Sequence, residues 1–476
     1  MQIVKIVRLH AIEVIVLSLL AGCAHFEAKP LSPDQTAARF EARTLDDPEL
    51  KKFLEENLKR DLGDWPLRGW DFGTLTLAAF YYHPDLDVAR AQWAVAQAGV
   101  KTAGQRPNPV IDVAPQYTSN SESGVSPWVA PLTVDATMET AGKRGYRIER
   151  AKHESESARL TLVTQAWQVR SRLRTRLLDY TAAHRRIVLL QNVRDIQQQI
   201  LKLLEGRLAA GAIAATELTT ARVALIKTQA DLADAQRQAV ESRAGVAEAL
   251  GVPLRAIEGR ELKFDLSQTA EAGHSLESAK VRQQALLGRA DIRAALADYA
   301  ASQSALQLEV AKQYPDIRLG PGYEYDQGAH KWGLGVGVEL PVLNRNEGPI
   351  AEAQAKRTEA AARFLALQAR VIADIDRSVA ARAAAQEQLR QIDALLEARR
   401  RQVQSIEAVV KAGGADQFDL RSAQLEVSLT EVTRLDALVK AQQALGQLED
   451  AVQVPFDALQ SVEQDRHVQA VKEKKP

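Results

Sequence analysis

Lys331-Trp332-Gly333-Leu334-Gly335-Val336-Gly337-Val338-Glu339-Leu340 places a large apolar residue at every second position and a small or charged one between. Side chains of an extended chain point alternately to opposite faces, so this stretch reads as a strand with one wholly apolar face. Three further segments share the pattern. Leu132, Val134, Ala136 and Met138 alternate with Thr133, Asp135, Thr137 and Glu139. Ile111, Val113 and Tyr117 stand against Asp112, Gln116 and Thr118, and Ile317, Leu319, Tyr323 and Tyr325 against Arg318, Glu324 and Asp326. Alternation sustained over about ten residues is what a membrane-crossing barrel strand requires, with lipid on one side and water on the other. Tyr117, Trp128, Tyr325 and Trp332 fall near segment ends and are expected to form an aromatic belt at a membrane interface.

The competing reading is a pair of soluble hairpins, each with one wet face. Nothing else in the chain reads as strand, so that reading leaves the apolar faces without a partner sheet. Four strands do not close a barrel, and an open edge in lipid strands backbone donors and acceptors at several kcal/mol each. The membrane reading therefore requires the edges to pair with other copies of the chain.

The four segments belong to a larger duplication. Asp85-Leu86 and Pro109-Val110-Ile111 reappear 206 positions on as Asp291-Ile292 and Pro315-Asp316-Ile317. Gly211, Leu218 and Val252-Pro253 reappear 202 positions on as Gly413, Leu420 and Val454-Pro455. The order repeats as well: helix, strand pair, very long helix, glycine turn, helix, proline stop. Duplication on this scale dictates the architecture.

Between Gly145 and Ala209, and between Asn346 and Lys411, the sole proline is Pro349, near a helix start where proline is tolerated. Each stretch predicts a helix of about 65 residues, roughly 100 Å at the usual rise. Such a length exceeds a globular domain and approaches the depth of a periplasm. Each long helix is expected to end on a left-handed glycine, at Gly211 and at Gly413-Gly414, with Thr216 and Asp416 capping the return helices. The return helices carry a seven-residue repeat: Leu218, Leu225, Leu232, Ala239 and Val246, and then Leu420, Val427, Arg434, Ala441 and Leu448. A sustained heptad implies coiled-coil packing, with Arg434 the one charged intruder, set toward a lumen or snorkelling.

The 476 residues carry 61 Lys+Arg and 61 Asp+Glu, so no basic excess points to nucleic acid. The single cysteine rules out a disulfide framework. Its setting matters more. Lys5 and Arg8 precede an apolar run from Val14 to Leu20, and Leu20-Ala21-Gly22-Cys23 follows. That stretch resembles a bacterial lipoprotein signal whose cysteine becomes the acylated first residue; the alternative is an ordinary signal peptide with an incidental cysteine. Ala24 in the next position, rather than Asp, implies by the same resemblance sorting to the outer membrane. No later segment offers eighteen consecutive apolar residues, so any membrane crossing falls to the strands.

Three local features complete a family pattern: His83-Pro84-Asp85-Leu86 at a helix start, Arg106-Pro107-Asn108-Pro109 before the first strand, and Glu139-Thr140-Ala141-Gly142-Lys143-Arg144-Gly145 leading into the first long helix. With the paired glycine turns, the chain resembles the TolC-like outer-membrane factors over residues 71–455. Within them it resembles the cobalt–zinc–cadmium resistance branch. The resemblance implies a mixed α and membrane-β fold: a homotrimer with a twelve-stranded barrel continuous with an α-helical tunnel. It implies a passive exit duct in a tripartite efflux system, docking a periplasmic adaptor and an RND-type inner-membrane pump. Family members carry aspartates that ring the tunnel entrance. Asp419 stands at a matching position with Asp416 nearby, but the companion expected three residues later is Ser422. The adaptor would dock on the turns at Gly211, Gly413 and Gly414.

The domain reading is a lipoprotein signal peptide at 1–22, an extended leader at 23–70, a first repeat at 71–253, a linker at 254–280, a second repeat at 281–455 and a disordered tail at 456–476. Gly333-Leu334-Gly335-Val336-Gly337 lacks the following helix of a phosphate-binding loop. Eight scattered histidines, two methionines and one cysteine leave no metal site, and no cofactor is expected. No catalytic constellation is visible, so the chain reads as no enzyme. The expected cargo is heavy-metal cations, with drugs or organic solvents as the alternative. The rival of a different class is a lipid-anchored periplasmic coiled-coil protein without a pore.

Overall fold

The computed structural model describes residues 26–119, 122–267 and 278–455. Cys23, the signal segment and residues 456–476 lie outside the described residues. The chain divides after Thr44 into two units. In the first, α1 (Pro33–Glu41) starts on a proline at its first position, and Thr36 Oγ1 donates to the Ser32 carbonyl at 3.1 Å.

The second unit opens with α2 (Pro48–Leu58), whose N-cap Asp47 accepts from the Glu49 amide, and which buries Leu50 and Leu54 on one face. The expected extended leader is thus corrected: between residues 26 and 70 the chain forms two helices. That expectation rests on Pro30 and Pro33; Pro33 instead opens α1, as Pro48 opens α2, at a position where a helix has no use for the missing N–H. After β1 (Gly69–Trp70) come α3 (Phe72–Tyr82), α4 (Pro84–Ala103), β2 (Val110–Val113), β3 (Gln116–Tyr117), β4 (Trp128–Met138), α5 (Lys143–Ala209) and α6 (Ala215–Leu250). A 3-10 turn (Leu254–Ile257) and β5 (Glu261–Leu262), parallel to β1, tie the linker to the leader. The second repeat follows as α7 (Ser278–Gly288), α8 (Ala290–Ala311), β6 (Ile317–Asp326), β7 (Ala329–Val338), α9 (Glu347–Lys411) and α10 (Gln417–Val452). Its first helix begins three residues before the expected start at 281, in step with α3.

The duplication extends to the cores. One cluster joins Leu75, Ala79, Leu86, Val169, Val246 and Leu250; its counterpart joins Val281, Ala285, Ile292, Ile375, Leu448 and Val452. The first core is larger because α2 and Trp70 pack onto it. The long helices run 67 and 65 residues and the return helices 36 each. Most of the heptad positions face inward: Leu218, Leu232, Ala239 and Val246 are buried on α6 and Leu420, Ala441 and Leu448 on α10, with Leu225 and Val427 half-buried. Arg434 is half-exposed and pairs across the hairpin, its Nε donating to Asp393 of α9 at 2.5 Å.

The sheet has the order β2-β4-β6-β7, all antiparallel, with β3 also paired to β4. Its first pass is broken at Ala114-Pro115, as a proline without an N–H would do. The alternation that continues to Leu340 outruns the ladder, which ends at the Ile317–Val338 pair.

Candidate functional site

Register carries one face across all four passes. Ile111 pairs with Val134, Val113 with Leu132, Ala136 with Leu319, Leu132 with Tyr323, and Tyr323 with Trp332. Paired residues point to the same side, so the apolar sets of the four segments merge into one surface. Nothing among the described residues covers it: Trp332 is 81% exposed, Leu334 68% and Val336 62%. The opposite face gathers Asp112, Thr133, Asp135, Thr137, Arg318, Glu324, Asp326 and Lys331, with Gly320, Gly322, Gly333, Gly335 and Gly337 between them.

Toward the loop end of the apolar face the four expected aromatics fall into two groups, one of Tyr117 and Trp128 and one around Tyr325 and Trp332. Tyr117 and Trp128 meet edge-on with centroids 5.0 Å apart, and Tyr323 lies 4.8 Å from Trp332. Tyr323 and His330 are additional members: the Tyr323 hydroxyl is 2.5 Å from His330 Nδ1, and His330 lies 5.6 Å from the Tyr325 ring. The odd-numbered alternation already put Tyr323 on this face. His330 was legible only once the β6–β7 turn had set the register.

At the other end of the sheet the Glu139–Gly145 motif forms a clamp. Thr140 donates from its amide to Asp316 and from its hydroxyl to the Pro315 carbonyl at 2.6 Å. The buried Lys143 ammonium donates to the Tyr314 carbonyl at 2.7 Å and to Asp316 Oδ1 at 2.8 Å. Partial burial pushes the Asp316 carboxyl up, but the hydrogen bonds from Lys143 and the Thr140 amide outweigh it and hold the pKa below its usual value. Arg147 grips Glu139 with both terminal nitrogens. The residues that carry the family resemblance therefore join the first strand pair to the second repeat.

At the far tips both turns close as expected. Gly211 (φ +72°) and Gly413 (φ +78°) take the left-handed conformation. Ala212 donates to the Arg207 carbonyl and Gly414 to that of Val409, the six-residue closure of a Schellman motif. Asp416 caps α10 and forms a reciprocal capping box with Asp419. Thr216 does not cap α6. Ala214 holds that position without a side-chain bond, because Ile213 and Leu218 enter one apolar cluster and staple the helix start two residues earlier. Arg207, which sequence reasoning passed over, reaches from α5 to the Asp416 carboxylate and stacks 4.6 Å over Phe418. The Asp416 pKa is lowered, first by the Asp419 amide and then by Arg207. Among the described residues no group of three His, Cys, Asp or Glu could hold a metal ion, and no helix is long and apolar enough to cross a membrane.

The outer membrane efflux protein profile matches residues 79–252 and 281–452, most of the chain and both repeats. The chain belongs to the outer membrane efflux protein family. It is 25% identical over 290 residues to the cobalt-zinc-cadmium resistance protein CzcC of Cupriavidus metallidurans, covering 59% of this chain and 65% of that protein. It is 28% identical over 159 residues to the pyoverdine export outer membrane protein OpmQ of Pseudomonas aeruginosa, covering 32% of each. The chain thus spans less than two thirds of either relative. Among solved structures the CusC channel superposes with a TM-score of 0.65 at 16% identity, covering 83% of this chain and 95% of that one. The fold is that of these efflux channels.

Proposed function

We propose that three copies of the chain close into an outer-membrane exit duct, with the apolar sheet face in lipid and the polar face around water. The observation that carries this reading is the continuous, exposed apolar face on a sheet whose end strands, β2 and β7, are open. Pairing β7 of one copy with β2 of the next satisfies both edges, and three copies yield the twelve strands of a closed barrel. The aromatic cluster then lies at the outer interface of the bilayer. The hairpins α5–α6 and α9–α10 extend the duct into the periplasm, with the Gly211 and Gly413-Gly414 turns offered to an adaptor and an RND-type pump beyond it. The chain itself is a passive conduit and performs no catalysis.

Single-channel recording in planar bilayers tests this. A stable conductance from purified trimer is expected; folded trimer without conductance supports the periplasmic coiled-coil alternative. Acylation of Cys23 is tested separately, by labelling with radioactive palmitate and its loss in Cys23→Ser.

For cargo, we favour divalent heavy-metal cations, on the relationship to CzcC and on the charge of the polar sheet face. That face carries Asp112, Asp135, Glu324 and Asp326 against Arg318 and Lys331, so it attracts cations. Export of organic molecules is the second reading, and the relationship to OpmQ supports it. A deletion strain is expected to lose zinc, cobalt or cadmium tolerance. Unchanged metal tolerance with new drug or dye sensitivity reverses the order.

A further inference from the structure

The two repeats differ where strand returns to long helix. In the first, residues 139–142 make the join: Glu139 and Thr140 enter the clamp and Gly142 caps the long helix. In the second, residues 339–346 make it, and the added length is Leu340-Pro341-Val342-Leu343. All of these except the proline are solvent-exposed: Leu340 71%, Val342 73% and Leu343 99%. A tight turn around Pro341, closed by the Val342 amide on the Leu340 carbonyl at 2.8 Å, pushes them outward.

The base of this loop is fixed next to an apolar groove. Gln313 Nε2 donates to the Arg345 carbonyl at 3.1 Å, and Asn346 Nδ2 to the Glu309 carbonyl at 2.7 Å. Next to Gln313 stands Tyr314, 61% exposed, which with Pro315, Ile317, Val338, Thr140 and Ala141 lines a groove of about 610 Å³. Ile317 and Val338 are the last pair of the apolar sheet face, so groove and face are continuous. The exposed Arg345 guanidinium makes no hydrogen bond or ion pair with any described residue. A small soluble patch of this kind has no use for three exposed aliphatic residues beside a free cation.

We infer that this corner is a phospholipid docking site in the leaflet that faces the helices. Acyl chain lies in the Tyr314–Ile317–Val338 groove, Leu340, Val342 and Leu343 dip among its neighbours, and Arg345 binds the headgroup phosphate. An arginine fork matches a phosphate oxygen pair, and anionic headgroups draw such a cation to the surface. The loop thereby fixes the depth of the barrel on one repeat only, giving a trimer three such anchors. This inference rests on the membrane orientation proposed above.

Leu343→Cys and, as a control on the sheet face, Leu334→Cys are made in a Cys23→Ser chain and labelled with bimane. Each trimer is reconstituted in phosphatidylethanolamine–phosphatidylglycerol liposomes containing a phosphatidylcholine with a nitroxide near its headgroup. Quenching at both positions is expected. Quenching at 334 alone overturns the docking site and leaves the duct standing; quenching at neither overturns the membrane reading with it. A blue-shifted but unquenched label at 343 means that a neighbouring copy covers the loop, which also overturns the site. In a chain with Cys23 intact, native mass spectrometry is expected to show Arg345→Gln losing a retained phosphatidylglycerol per protomer. Equal retention removes Arg345 from the site.

Discussion

The Arg174 guanidinium occupies the space that a side chain on Gly446 would fill. Arg174, from the centre of α5, is buried against α10 and donates to the Gln442 carbonyl at 2.8 Å and its side-chain oxygen at 2.7 Å. Its Nε lies 3.5 Å from Glu449. Burial pulls the guanidinium pKa down and Glu449 opposes that shift. A glycine inside a long helix costs about 1 kcal/mol relative to alanine, and here it admits the arginine that locks the two repeats together. Gly446→Ala is therefore expected to destabilise by about 1–3 kcal/mol in chemical unfolding, overpacking outweighing propensity. Gly245→Ala faces only the half-exposed Arg176, whose Cδ lies 3.1 Å from the new methyl and is free to move. That variant is expected within about 0.5 kcal/mol of wild type. Equal losses for both would show that the arginine contact is not what selects glycine.

Asp450 works against stability at neutral pH. Its carboxyl is pushed up by burial, despite hydrogen bonds from the Ser171 hydroxyl at 2.5 Å and the Trp167 indole at 2.8 Å. A carboxyl raised in the folded state stabilises below its unfolded pKa, and that contribution is lost as pH rises through the folded value. Asp450→Asn retains an acceptor for Trp167 and has no charge to bury. Its urea midpoint is expected above wild type at pH 7, with the gap closing toward about pH 4. A variant less stable than wild type at both pH values would contradict this.

The Lys143–Asp316 pair makes the opposite prediction. Lys143→Met leaves the Asp316 carboxylate with the Thr140 amide as its hydrogen-bond donor and Arg147 as the nearby positive charge, and is expected to cost about 2 kcal/mol at neutral pH. The depressed Asp316 pKa contributes stability above its unfolded value that is lost as pH falls through the folded one. Wild type is therefore expected to lose more thermal stability than Lys143→Met on acidification below about pH 4. Parallel melting curves would remove the pair from the account.

At the tips, Asp416 both caps α10 and holds Arg207 across the two hairpins, whereas Asp419 completes only the box. Asp416→Ala and Arg207→Ala are expected to raise the basal conductance of the reconstituted trimer, and Asp419→Ala to do so less. Since the Asp416 pKa is lowered, the cross-link weakens as pH falls through the depressed value, so acidification should favour the open tip in wild type but not in Arg207→Ala. Wild-type conductance in all three variants, with altered melting alone, would reduce these residues to helix caps.

Strands, long helices and glycine turns were legible because each depends on a short repeat: period two in Lys331–Val338, seven in Leu218–Val246, and one left-handed residue at Gly211 and Gly413. The duplication was legible because both halves preserve that punctuation. The aromatic cluster was half legible, since alternation places Tyr323 and Trp332 on one face, while His330 joins only through the register of β6 on β7. The leader was misread where prolines begin helices, and Thr216 was passed over by the apolar staple of Ile213 on Leu218.

The sequence by itself determined the strands, long helices and turns of the two repeats, their order and their apolar faces, because periodicity and backbone sterics act over a few residues. Only the tertiary structure decided that Arg207 spans to Asp416, that Lys143 closes on Asp316, that Gly446 makes room for Arg174, and that Arg345 stands beside the Tyr314 groove. These contacts join residues that lie from some thirty to some 270 positions apart. No local repeat encodes such distances; they are set by how two copies of one helical hairpin pack side by side.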